Sequence, residues 1–183
     1  MDPTILAYVA GFLDGDGSIF FQLIRKKDYC LGFQIRTSIA FYQKTENEKI
    51  LIWLKEQFSS GCIRRRKTGV SDYTIVESQE VRRILTLVQP YVRLKREHVS
   101  LGLEILSKLP LATDAKRLIA LSRMVDRFRD LNYSKKRTVT SEVVEAHLES
   151  HGLHAPVETD PIWRESLGRT AAKTPVPSKA SGG

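Results

Sequence analysis

The sequence lacks the ligand sets of a zinc protein. Its two cysteines, Cys30 and Cys62, are not spaced as Cys-x-x-Cys, and its four histidines form no cluster with them. That pattern does not point to a structural zinc site or a disulfide framework; the expectation is two buried thiols in a reducing compartment. Long apolar runs are missing too. None approaches the roughly 18 residues that a membrane-spanning helix needs, so no membrane partner is expected. The N-terminus shows no basic start, apolar run and cleavage site, and is not read as a secretory signal. The acidic Asp2 and the lack of an Arg/Ser-rich leader argue against a transit peptide. No internal repeat is visible, and no nucleophilic Ser or Cys is set beside a histidine base.

What is present suffices for one domain. The chain has 183 residues, 42% of them hydrophobic, and a net charge of +8. This length builds one well-packed core but not two. A basic domain points to a polyanionic partner, without choosing among DNA, RNA and an anionic surface.

Asp2-Pro3 reads as a helix start, an N-cap acceptor followed by proline at the first helical position. The helix runs through Ile5, Leu6, Val9, Ala10 and Leu13 and stops at Gly15 and Gly17. Residues 18–27 and 32–42 read as strands, the second with a polar face. Thr45-Glu46-Asn47-Glu48 has the form of a capping box opening a helix to Phe58. Residues 62–66 and 71–77 form a hairpin around Lys67-Thr68-Gly69. Ser78 caps a helix to Val88 ahead of Pro90. Helices follow at 94–109 and 114–131, and a short last one from Thr140 or Ser141 to Ser150. The order αββαββα plus further helices defines an α+β fold with an antiparallel sheet. Residues 1–151 are expected to be the domain, and 152–183, rich in proline and ending Ser-Gly-Gly, a weakly ordered tail.

The most informative stretch is Tyr8-Val9-Ala10-Gly11-Phe12-Leu13-Asp14-Gly15-Asp16-Gly17. Ala7, Ala10 and Gly11 place small groups at i, i+3 and i+4, a face that lets two helices approach closely. Asp14 and Asp16 stand at the carbonyl end of the helix, where anions are disfavoured. A divalent cation would relieve that conflict, and carboxylate with backbone carbonyl suits Mg²⁺ or Ca²⁺. A plain Asp-Gly turn after a helix is the other reading of the same spacing. An EF-hand loop is excluded, because Ile19 and Arg25 occupy the positions that need glycine and glutamate.

This segment resembles the LAGLIDADG motif of homing endonucleases, in its single-motif branch of intron-encoded algal chloroplast enzymes. Gln43-Lys44-Thr45, Val70-Ser71-Asp72-Tyr73, Gln89-Pro90-Tyr91-Val92-Arg93-Leu94-Lys95, Val125-Asp126 and the 134–141 run agree in order with that branch. The resemblance covers residues 4–150. It implies the LAGLIDADG fold, with the antiparallel sheet binding DNA, and a site-specific double-strand endonuclease cutting a long pseudo-palindromic target. Asp16 would be the catalytic metal ligand, joined by the Gly15 carbonyl, with Gln43 and Lys95 as polar catalytic residues and Asp14 in a structural role. The implied cofactor is Mg²⁺, with Mn²⁺ able to substitute and Ca²⁺ supporting binding without efficient cleavage. The chain departs from relatives at Asn47, where they often carry a basic residue; Arg64 and Arg93 are candidates to replace it. The location implied is an organelle, chloroplast or mitochondrion, if an intron there encodes the chain, and otherwise intracellular and not secreted.

The resemblance also turns the polar strand faces, otherwise ordinary solvent faces, into DNA contacts. Gln22, Ile24, Lys26 and Asp28 alternate on the first strand; Gln34, Arg36, Ser38 and Ala40 on the second; Arg64, Arg66, Asp72 and Thr74 come from the hairpin. A β-ribbon of this kind fits the major groove. The Arg64–Lys67 run and the run containing Ser134 and Lys135 are expected to grip phosphates. A double-strand cut needs two centres, and the chain has one motif, so a homodimer through Ala7, Ala10 and Gly11 is expected. The alternative is an RNA maturase or a non-cleaving DNA-binding protein of the same fold.

Overall fold

The computed structural model describes residues 1–131 and 138–153. Helix α1 (Pro3–Asp16) starts as the sequence requires: the Asp2 carboxylate accepts a hydrogen bond from the Thr4 N–H at 2.7 Å, and Pro3 opens the first turn. Such a cap is worth ~1 kcal/mol. The helix does not stop at Gly15. It continues through that residue to Asp16, and Gly17 ends it by donating its N–H to the Leu13 carbonyl. A Cβ at position 17 would lie 2.7 Å from the Leu13 Cα and 2.8 Å from its carbonyl oxygen, so the chain can leave the helix here only as glycine.

From Gly17 the chain enters strand β1 (Gly17–Arg25), which pairs antiparallel with β2 (Phe33–Lys44). Strands β3 (Cys62–Arg65) and β4 (Val70–Ile75) complete one four-stranded antiparallel sheet in the order β1-β2-β4-β3. The alternation is decisive in β1, where Ile19, Phe21 and Leu23 are buried while Gln22 is exposed. All helices gather on the apolar face. Helix α1, α3 (Ser78–Val88), α4 (Arg96–Lys108) and α5 (Ala115–Leu131) pack on β1 and β2, and α2 (Lys49–Phe58) packs on β3 and β4. Aromatic rings fill the layer between: Phe21 stacks on Phe128 at 4.7 Å, and Phe41 lies between Phe12 at 5.5 Å and Tyr73 at 6.1 Å. Helix α6 (Ser141–Ser150) packs on α5; the Asp126 carboxylate accepts from the Ser141 N–H at 2.8 Å and so caps it. No helix of the described residues is long and apolar enough to cross a membrane.

Several local expectations are corrected. Thr45–Asn47 is a turn of 3₁₀-helix, and α2 begins only at Lys49. The capping box is not made, because the Glu48 side chain turns to Arg65 and Ser71 instead. Ser78 is the first residue of α3 rather than its cap, and its hydroxyl bonds to that of Thr37. The helix expected from Leu94 starts at Arg96. Both cysteines are exposed, not buried, since Cys30 lies in the turn between β1 and β2 and Cys62 opens the edge strand β3. Gly152 and Leu153, expected in the tail, donate to the Glu149 and Leu148 carbonyls and close α6. The remainder of the expected tail, 154–183, lies outside the described residues, as do Ser134 and Lys135.

Candidate active site

The last turn of α1 presents two carboxylates with opposite surroundings. Asp14 is partly buried and accepts three backbone N–H donors, from Arg93 at 2.7 Å, Leu94 at 3.1 Å and Lys95 at 2.9 Å. Burial works to raise its pKa, but these three hydrogen bonds outweigh it and hold the carboxyl below its usual range. Asp14 thus caps the turn that leads into α4, which agrees with the structural role expected for it. Asp16 is exposed, and no donor among the described residues bonds its carboxylate.

Lys95 closes the arrangement. Its Nζ donates to the Asp14 carbonyl oxygen at 2.5 Å. Burial pushes its pKa down, while the neighbouring Asp14 and Asp16 charges oppose that shift. The ammonium is therefore placed at the free carbonyl end of α1, where the helix dipole favours a cation. With Gly17 bonded to the Leu13 carbonyl and Lys95 to that of Asp14, the Gly15 carbonyl has no donor among the described residues. An exposed carboxylate beside an open backbone carbonyl is a hard-oxygen pair that fits Mg²⁺. No three His, Cys, Asp or Glu side chains among the described residues gather as a metal cage. The oxygen donors this place offers are thus the Asp16 carboxylate and the Gly15 carbonyl.

Gln43 and Asp16 line one open pocket between the end of α1 and the start of α2, with Gly11, Asn47 and Lys49 also on its wall. The Gln43 amide oxygen accepts from the Lys44 N–H at 2.9 Å. The structure thus brings together Gly15, Asp16, Gln43 and Lys95. Arg64, one candidate for the basic group absent at Asn47, is instead committed to Asp72 on the sheet; Lys49 is the cation that lines the pocket.

The sheet face turned away from the helices carries most of the expected contacts. Register sets Gln22 opposite Arg36 and Ile24 opposite Gln34, then Ala40 opposite Thr74 and Tyr42 opposite Asp72. Gln22 and Arg36 are exposed, whereas Ser38 and Ala40 are buried at the sheet centre. Lys26 and Asp28 are not on β1, which ends at Arg25; they stand in the turn before Gly32, because the Lys26 N–H bonds to the Gly32 carbonyl. Asp72 is 2% exposed and held by Arg66 at 2.6 Å, Arg64 at 3.3 Å and Thr74 at 3.1 Å. Burial tends to raise its pKa, but these partners bring the net shift down. It organises two arginines and is not itself available to a base. Arg66 also lies over the Tyr42 ring at 5.4 Å. Sequence reasoning did not single out Tyr42, although it lies two residues beyond Ala40 and parity alone places it on this face.

The face of α1 left open also differs from expectation. Ala10 is fully buried against the chain's own core and belongs to no free face. Ala7, Gly11 and Gly15, at i, i+4 and i+8, are exposed, and a Cβ at Gly11 or Gly15 would meet nothing within 4 Å. The chain's own packing does not require glycine at either position. The stripe is shifted because α1 turns its Leu6, Val9, Ala10 and Leu13 side to the sheet.

The fold is thus an antiparallel sheet covered by helices on one face, with α1 ending in an exposed acidic turn. A family model described as LAGLIDADG endonuclease matches residues 9–102. The chain is 33% identical over 151 residues to the DNA endonuclease I-CvuI of Chlorella vulgaris, covering 82% of this chain and 94% of that protein. It is 36% identical over 150 residues to the DNA endonuclease I-CreI of Chlamydomonas reinhardtii, covering 81% and 91%. A crystal structure of I-CvuI with the uncleaved I-CreI target and 2 mM Mg superposes with a TM-score of 0.79 at 33% identity, over 84% of this chain and 97% of that one. The chain belongs to the LAGLIDADG endonuclease family.

Proposed function

We propose that this chain is a Mg²⁺-dependent, site-specific double-strand DNA endonuclease that works as a homodimer on a pseudo-palindromic target. The observation that carries the reading is Asp16: an unbonded, exposed carboxylate at the end of α1, beside a stripe of small residues that the chain leaves uncovered. Two α1 helices crossing on Ala7, Gly11 and Gly15 about a two-fold axis would bring two such carboxylates together. The metal, held by Asp16 and the Gly15 carbonyl, would supply water activation and charge neutralisation. Gln43 would orient water and phosphate at the pocket mouth, and the Lys95 ammonium would hold the end of α1 while adding positive charge near the scissile phosphate. Gln22, Gln34 and Arg36 would read base edges, and Arg64 and Arg66, fixed by Asp72, would present two guanidinium groups in defined positions.

Cleavage of a plasmid library carrying randomised inserts, with Mg²⁺ titrated upward from 2 mM, tests the reading. Two-strand cuts at a recurring near-symmetric sequence are expected, abolished by chelation. Binding with no cleavage at any Mg²⁺ or Mn²⁺ concentration would overturn it. Ca²⁺ is expected to support binding with slow or no cutting, as its looser coordination places the water poorly.

A further inference from the structure

Strand β3 ends in Arg64 and Arg65, and Arg66 follows it directly, so three arginines stand in a row. Arg64 and Arg66 meet Asp72 on the open face of the sheet, so Arg65 points the other way, towards α2. There its guanidinium grips both oxygens of Glu48, with Nε at 2.9 Å and 3.1 Å and Nη2 at 2.8 Å. The Glu48 side chain is 9% exposed. Its second oxygen also accepts the Ser71 hydroxyl at 2.6 Å, and that hydroxyl lies 3.1 Å from the Thr45 hydroxyl. The Thr45 N–H bonds in turn to Gly69, in the β3–β4 turn, at 2.9 Å.

These bonds join two regions with separate tasks. Arg65, Gly69 and Ser71 belong to the hairpin that carries Arg64 and Arg66. Thr45 opens the 3₁₀ turn and Glu48 follows it; Asn47, the last residue of that turn, and Gln43, two residues before it, line the Asp16 pocket. Ser71 is also the register partner of Gln43 across β2 and β4. With the Arg65 side chain 72% exposed, this ion pair contributes little net stability. Its directional, two-pronged geometry is nevertheless well suited to fixing one segment relative to another.

We propose that Glu48, Arg65 and Ser71 form a positioning device that couples the seating of the β3–β4 hairpin on DNA to the placement of Gln43 and Asn47 at the cleavage centre. The proposal rests on the endonuclease reading above. The three residues act through Gln43 and Asn47 and do not touch the reacting phosphate.

The test uses the full chain and a duplex recovered by wild-type cleavage of the randomised library. Single-turnover cleavage at saturating protein and the Kd for the same duplex in Ca²⁺ are measured for Arg65→Met, Arg65→Lys, Glu48→Gln and their combinations. Arg65→Met is expected to slow cleavage about tenfold with Kd moving by less than about threefold, and Arg65→Lys to restore part of the rate. Glu48→Gln with Arg65→Met is expected to be no slower than the worse single variant, since both break one link. A Kd that rises while the saturated rate holds would make Arg65 a phosphate contact, and unchanged values would make the cluster a bystander. A slowing that only tracks loss of melting temperature would make it a folding element. Each of these sinks the proposal. If the wild type cuts no duplex, it is the endonuclease reading that fails.

Discussion

Asp14 and Asp16 sit two residues apart on the last turn of α1 and face different partners. Asp14 is engaged by three N–H groups, so Asp14→Asn should loosen the α3–α4 turn and lower the melting temperature by a few degrees, consistent with losing charge-assisted bonds of about 1.5–3 kcal/mol in gross strength. Asp16→Asn should leave melting unchanged and DNA binding largely intact, yet reduce cleavage by about a hundredfold or more, because on the proposed reading only a metal ligand is lost. Full cleavage by that variant in Mg²⁺ would remove Asp16 from the site. Glu48 makes a pH prediction. Its hydrogen bonds from Arg65 and Ser71 lower its pKa from 4.5 to about 2. A depressed carboxyl contributes stability that is present above pH 4.5 and is lost as pH falls towards 2. Melting curves of wild type and Glu48→Gln should therefore differ at neutral pH and converge between pH 4.5 and 2; a constant gap across that window would contradict the assignment.

At the scale of elements, the junction of α1 and β1 has no slack. Gly17→Ala forces a Cβ into the Leu13 backbone, so an overpacking cost of about 1–3 kcal/mol is expected, read as a lower urea midpoint with unchanged slope. The same change at Gly15 meets open space and should leave single-chain stability unchanged within about 0.5 kcal/mol. On the open face of the sheet, Arg36 is exposed opposite Gln22. Arg36→Ala should relax base preference at one position of each half-site by about 1–3 kcal/mol, measured by selection on a randomised duplex. Equal loss on all sequences would make Arg36 a phosphate contact instead.

For the whole molecule, the proposed homodimer depends on the open stripe on α1. Gly11→Leu adds a side chain where the single chain has room, so the folded monomer should melt normally. The added bulk would separate two α1 helices, and dimerisation and double-strand cleavage should fail together. Light scattering on the free protein and stoichiometry on DNA measure this; a Gly11→Leu protein that remains dimeric and cuts both strands would place the interface elsewhere. On the proposed reading, the tight ~8–10 Å approach that small residues permit would let two Asp16 carboxylates work across one groove.

Local rules determined a large part of this protein. Asp2-Pro3 starts α1, and period-two alternation marks β1 and β2. The Lys67-Thr68-Gly69 turn makes the hairpin, and the acidic motif stands at the end of α1, because each depends on residues close in the chain. Tertiary packing decided the rest. Which side of α1 is free depends on how the helix rolls against the sheet, and this moved Ala10 into the core and left Gly15 exposed. The fate of Glu48 depended on Arg65, 17 positions away, whose fork outcompeted the local cap. Asp14 found its donors 79 to 81 residues downstream, in a turn that no neighbouring residue specifies. Long-range hydrogen bonds of this kind pair groups that only the folded chain brings within 3 Å, so spacing in the sequence carries no trace of them.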